Sequence, residues 1–286
     1  MSIAKILAPV FGTKGDAVCL ATAFAVARPF NAHVQVLFAH PDPREAIAVM
    51  GMPISGNVVQ AVVESQEKVA AVATRHARIA LAGEAENAHA KIVAEPACAD
   101  CVTASYREAT GRLAQVLEGA LRYCDLAVFP PRNETDPEMH DVLVGVLSRA
   151  QRPVLLAPAE APARIGTNIA VGWDGSMTAA HALTAALPYL RNAQTVTLIS
   201  VRRRPETDGG EEAKNYLALH RIAASICAVE PSTHSIAETL LETVSERGCD
   251  LLAIGGYGHS HLRETLFGGV TQYVMSHAAL PVFLAH

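Results

Sequence analysis

The chain has little charge and almost no tryptophan. Charged residues make up 18% of its 286 positions, and there is a single Trp, Trp173. No apolar run approaches the roughly 20 residues that a membrane-spanning helix needs. The opening Met1-Ser2-Ile3-Ala4-Lys5 runs straight into a strand pattern without the layout of a signal peptide, so a cytoplasmic location is expected. A net charge of −5 supplies no general electrostatic footprint for nucleic acid. The short run Arg202-Arg203-Arg204 reads as a solvated loop. Six cysteines in so long a chain are expected to be reduced thiols. Cys98-Ala99-Asp100-Cys101 is a C-x-x-C pair, but no second pair and no nearby H-x-x-x-H completes four zinc ligands.

What is present is a repeat. Lys5 to Val10 answers Asn168 to Trp173, Val34 to Phe38 answers Val196 to Val201, Cys124 to Val128 answers Cys249 to Ala253, and Arg152 to Ala157 answers Leu280 to Ala285. Between the copies lies Pro158-Ala159-Glu160-Ala161-Pro162-Ala163-Arg164-Ile165-Gly166, a Pro- and Ala-rich linker. Two domains follow, 1–158 and 166–286. Each alternates short apolar runs with segments of helical period, such as the stripe Ala17, Leu20, Ala21, Phe24 and Ala25. An Asp followed by a purely apolar run suits a parallel strand covered on both faces. The class is α/β with doubly wound parallel sheets. In the first copy, strands are expected near 4–10, 33–39, 102–108, 126–130 and 153–157. Helices are expected near 16–30, 57–82, 111–123 and 139–149. Residues 83–100 carry no clear pattern.

The most informative stretch is Gly255-Gly256-Tyr257-Gly258, then nine residues, then Gly268-Gly269-Val270-Thr271. It follows the strand-like Asp250 to Ile254 and precedes a helical pattern. Glycines admit a close ligand, and a helix N-terminus favours an anion. The stretch is not a P-loop, because no Lys-[Ser/Thr] follows its glycines, and it has no G-x-G-x-x-G turn. Read alone, the glycines could simply make turns.

This spacing resembles the signature of the universal stress protein family, Gly-x-x-Gly, nine residues, Gly-[Ser/Thr], with Gly255, Gly258 and Gly268 on its glycines. The tail Val274 to Leu284 resembles that family's closing helix and strand. Gly269 departs from the pattern, because it stands where the family has Ser or Thr; Thr271 is the nearest hydroxyl. The resemblance implies a Rossmann-like tandem whose halves pair as an intrachain pseudo-dimer through their last strands, Val154 to Ala157 facing Val282 to Ala285. It also implies an adenine-nucleotide site in the second half. The adenine would lie near Val201 and the ribose near Asp174. The phosphates would lie across Gly255, Gly258, Gly268, Gly269 and Thr271, with Val270 beside them and His259 in the loop. The ligand implied is ATP, or AMP or ADP, with Mg²⁺ as a companion of the phosphates. Asp174 and Ser176 also suit a plain helix N-cap. His277 is expected at a helix C-terminus.

The first copy lacks these features. Pro130 and Pro131 stand where Gly255 and Gly256 do, and Phe11-Gly12-Thr13 replaces Asp174-Gly175-Ser176. The first half therefore reads as a degenerate site, either a structural partner or a surface for another ligand. No hydrolytic constellation stands out, since His259, His261 and Arg263 form only a weak pattern, and binding with little or no turnover is expected. The function implied is that of a stress-response regulator or nucleotide-responsive switch. The alternatives are a nucleotide-free interaction module with the same fold and a weak ATP hydrolase. Pairing with a second copy as a homodimer, and an unnamed protein partner, stay open.

Overall fold

A computed structural model describes residues 2–40, 56–96, 100–131, 142–143, 145–147, 151–202, 209–231, 235–256 and 269–286. In the first half the order is β1 (Lys5–Val10), α1 (Gly15–Ala27), β2 (His33–His40), α2 (Gly56–Asn87), β3 (Lys91–Ile92), β4 (Thr103–Thr110), α3 (Leu113–Leu121), β5 (Leu126–Phe129) and β6 (Val154–Leu156). The second half continues with β7 (Asn168–Gly172), α4 (Met177–Leu190), β8 (Thr195–Val201), α5 (Glu211–Leu219), β9 (Ala224–Val229), α6 (Ile236–Glu246), β10 (Leu251–Gly255), α7 (Gly269–His277) and β11 (Val282–Ala285).

The strands join into one 11-stranded sheet, ordered β3-β4-β2-β1-β5-β6-β11-β10-β7-β8-β9. Every neighbouring pair is parallel except β6 with β11, which run antiparallel with Leu155 opposite Phe283. The expected pairing of the two last strands is thus present. Each half has the same strand order on either side of this seam, except for the extra β3. Helices cover both faces, which is why the central strands are apolar along their whole length: β5 and β11 are buried at every position.

The repeated Cys-Asp pair has a structural reason. Asp125 accepts the amides of Ala4 and Lys5 at 2.8 and 3.0 Å. Asp250 accepts those of Gly166, Thr167 and Asn168 at 2.9, 3.0 and 3.0 Å. In each half the carboxylate at the head of one central strand holds the start of its neighbour and so sets the register of the sheet. The seam is closed on one face by aromatic rings: Phe30 meets Tyr189 edge-on at 5.1 Å, and Tyr189 meets Phe283 at 6.1 Å. The halves therefore share a core and are not beads on a linker.

Most of the sequence reading is matched to within a few residues. The helix expected at 57–82 runs five residues further, to Asn87. In the stretch without a pattern, the two exposed residues of β3 add an edge to the sheet. Pro29 ends α1 early, turning 28–30 into a single 3-10 turn. Gly145, within the helix expected near 139–149, lies in helical backbone. Among the described residues no helix is long and apolar enough to cross a membrane, and no group of three or more His, Cys, Asp or Glu could hold a metal. Cys101 is a free thiol; Cys98 lies outside the described residues.

Candidate functional site

In the second half the chain leaves β7, builds β8 and β9 on one side, then returns with β10 on the other. The order reverses at β7, and the crevice beyond the carboxyl ends of strands at such a point is where open α/β sheets hold ligands. A cleft of about 360 Å³ lies there. Asp174, Val201, Gly255, Gly269, Val270 and Thr271 all line it. They come from four separate segments, so the fold brings together six of the nine residues that the sequence singles out. The other three, Gly258, His259 and Gly268, lie outside the described residues.

The first βα turn is built locally. Ser176 caps α4, its Oγ accepting the Ala179 amide at 3.1 Å. Asp174 Oδ1 accepts the Ser176 amide at 2.9 Å, and its side chain stands in the open. Ser176 is therefore the cap, while Asp174 braces the turn and faces the cleft mouth. Apolar side chains form most of the wall: Ile199 and Val201 from β8, Ile254 from β10, Ile236 and Leu240 from α6, with Trp173 beside Asp174. This suits a flat, weakly polar ring. The start of α7 and the start of α4 both border the cleft, and each helix N-terminus adds partial positive charge.

Two glycines change meaning in three dimensions. A β-carbon on Gly255 would lie 2.6 Å from the Thr178 carbonyl carbon and 2.7 Å from the Ala179 nitrogen. Gly255 is glycine because β10 abuts the first turn of α4, not because a ligand must approach it. A β-carbon on Gly269 would meet nothing within 4 Å among the described residues. Thr271 does not simply replace the missing hydroxyl. Its side chain is buried and donates to the Gly255 carbonyl at 3.3 Å, which leaves its oxygen only as an acceptor.

Sequence reasoning missed Trp173, Ile236 and Leu240 as parts of the wall. Ile236 was within reach: it follows Ser235, whose side chain and that of Glu238 form a reciprocal capping box at the start of α6. His277 does end α7, its ring stacked on Tyr273 at 3.9 Å.

Residues 167–286 match the model of the universal stress protein family. The second half of the chain belongs to that family. Across its whole length the fold is similar to that of a universal stress protein from Archaeoglobus fulgidus: TM-score 0.66, 14% identity, 98% of this chain and 97% of that one. It is also similar to a functionally unknown protein from Pseudomonas aeruginosa: TM-score 0.55, 13% identity, 99% and 92% coverage. At such identities the likeness is one of fold, and it spans both halves. No curated protein matches the sequence.

The first half departs from the second residue by residue. The strand registers put Phe11 at the place of Asp174, Phe129 at that of Ile254 and Pro130 at that of Gly255. Phe129 is fully buried, so a larger side chain takes the volume beside the strand end. The crowded contact is inverted as well: Gly15, at the place of Thr178, faces Pro130, and a β-carbon on it would lie 3.5 Å from the proline's. Buried Asp16 accepts the amides of Phe11 and Gly12 at 3.0 and 2.7 Å. Those turn amides are consumed within the protein. Burial pushes the Asp16 carboxyl above its usual range, opposed by the amides of Phe11, Gly12 and Thr13.

Proposed function

We propose that this universal stress protein binds an adenine nucleotide, ATP or its mono- or diphosphate, in the second half only, and acts as a nucleotide-responsive switch or regulator in a stress response. The observation that carries the proposal is the convergence of Asp174, Val201, Gly255, Gly269, Val270 and Thr271 on one cleft at the reversal of strand order. The ring would rest on the aliphatic wall at Ile199 and Val201. Asp174 would accept from a ribose hydroxyl, and the phosphates would lie toward the start of α7. A polyphosphate there would bring Mg²⁺ on its own oxygens. Asp174 is placed on the ribose, and the other described residues lining the cleft carry no titratable acid or base, so the proposal is binding with little or no turnover.

The test is mass analysis of small molecules released by denaturing the purified protein, followed by titration with ATP. Trp173 is the single tryptophan and lines the cleft, so its emission reports occupancy directly. A saturable change that is lost in Asp174→Ala is expected. Absence of both copurified nucleotide and any emission change would overturn the proposal.

One observation favours a second reading, that of an interaction module without nucleotide. Gly269 has no hydroxyl, and the Thr271 hydroxyl proton is committed to Gly255. On that reading Gly269→Ser, which restores the family's residue, creates nucleotide binding where the parent chain has none.

A further inference from the structure

A second cleft, of about 980 Å³, lies in the first half beyond the carboxyl ends of β1, β2 and β4. It shares with the first the places of Asp174 and Val201, here Phe11 and Ala39, but opens toward α2 and leaves out Pro130, at the place of Gly255. Its floor comes from Phe11, Phe38 and Thr110, and its far wall is α2. That helix has 32 residues against 9 in α5, its counterpart in the second half. At about 1.5 Å per residue it is roughly 48 Å long. Only its C-terminal part, with Ala77, Leu81 and Ala85 buried, packs on the sheet, while residues 64–69 are exposed. The N-terminal part overhangs the strand ends.

The overhang is anchored where it leaves the sheet. Gly12 has φ +73°, and a β-carbon there would sit 2.5 Å from the Ala73 Cα, so the helix backbone rests directly on the β1–α1 turn. Five residues on, Arg78 donates to Glu108 Oε1 at 2.8 Å and lies 4.6 Å above the Tyr106 ring. Glu108 Oε2 meets His40 Nε2 at 3.0 Å, and His40 leans on Phe38 with ring centroids 4.6 Å apart. Among the described residues the walls of the cleft are thus fixed in place.

Nothing in the fold demands this chemistry. The registers put Ser200 at the place of Phe38, Arg202 at that of His40 and Ala228 at that of Glu108. The polar end keeps hydrogen-bond donors to spare. Both oxygens of Glu108 are engaged, and Arg78 beside it holds its carboxyl below the usual range. Arg78 uses one of five guanidinium N–H donors on Glu108, and its side chain is 61% exposed. Glu67 also lines the cleft, but eleven residues from Arg78 along the helix is about 16 Å, beyond the screening length at physiological salt.

We propose that this cleft binds a small aromatic anion, its ring against Phe11, Phe38 and the alanine-rich wall of α2 and its charge on Arg78. The test uses the full chain with the fluorescent aromatic sulfonate 1-anilinonaphthalene-8-sulfonate, and N-phenyl-1-naphthylamine as its uncharged counterpart. Saturable binding of the sulfonate, undisturbed by ATP, is expected. Ala70→Phe, which fills the cleft, abolishes it. Arg78→Gln weakens it about tenfold, the lower end for a hydrogen bond to a charged group, and leaves the naphthylamine unchanged. Thermal melts of both variants confirm that they fold. Displacement of the sulfonate by ATP, indifference to both substitutions, or no saturable binding would overturn the proposal.

Discussion

A methyl group on Gly255 would overlap the backbone of Thr178 and Ala179, which cannot swing aside as a side chain tip can. Gly255→Ala is therefore expected to destabilise the whole chain by about 1–3 kcal/mol, the usual cost of overpacking, read as a lower urea midpoint whether or not nucleotide is present. Gly269→Ser should leave that midpoint unchanged, because no described residue lies near the added group, while tightening ATP binding as read by Trp173 emission. If Gly269→Ser lowers stability as much as Gly255→Ala, the open space beside α7 is not there. His33 carries a different residue-scale prediction. It is buried between the hydroxyls of Thr103 and Ser105, 2.9 Å from each. Burial, and then the charge of Lys5, lower its pKa. Below the unfolded value, about 6.5, the unfolded chain binds the proton that the folded chain resists. Stability from this site is thus full above about pH 6.5 and is lost as pH falls toward the folded pKa, with a slope of up to about 1.4 kcal/mol per pH unit. Urea midpoints between pH 7.5 and 5.5 should fall less steeply in His33→Gln than in the parent.

Among the elements, α6 shows how stability and site are joined. Its capping box is complete, with Ser235 N donating to Glu238 at 2.7 Å and Glu238 N donating to Ser235 at 3.2 Å. Its first turns present Ile236 and Leu240 to the cleft. Ser235→Ala should cost about 1 kcal/mol of stability and also reduce the thermal shift produced by ATP. A melt that falls with an unchanged ATP shift would separate helix from wall. Elements were the most legible scale in the sequence. The strands appeared as apolar runs and α1 as a stripe, because burial on one or both faces imposes a period on any chain. The two residues of β3 have no such imprint, being short and exposed. The cleft was legible where its residues sit at strand ends, as Asp174, Val201 and Gly255 do, since topology alone brings strand ends together. The reason for Gly255 was not legible, because it depends on contact with a helix some 75 positions earlier in the sequence. Nor was the cluster of His40, Arg78 and Glu108, whose members lie on three elements and follow no local spacing.

At the scale of the molecule, the antiparallel seam decides what each half can do alone. Only three residues pair across it, Val154 to Leu156 with Val282 to Leu284, yet removing one half would bare the full inner edge of β11 or β6 and the rings that cover it. A bare apolar edge strand seeks another strand. The seam offers a ready solution, because antiparallel pairing centred on Phe283 has a two-fold axis and so suits a second copy of the same strand. Residues 166–286 expressed alone should therefore form a dimer at micromolar concentration, measured by sedimentation, with β11 paired to β11 in place of β6. Each protomer should keep the ATP-dependent emission of Trp173, since every described residue of that cleft lies in the second half. A fragment that sediments as a stable monomer would show that the sheet does not need the seam. The first half would then owe its place in the chain to its own cleft rather than to covering its neighbour's edge.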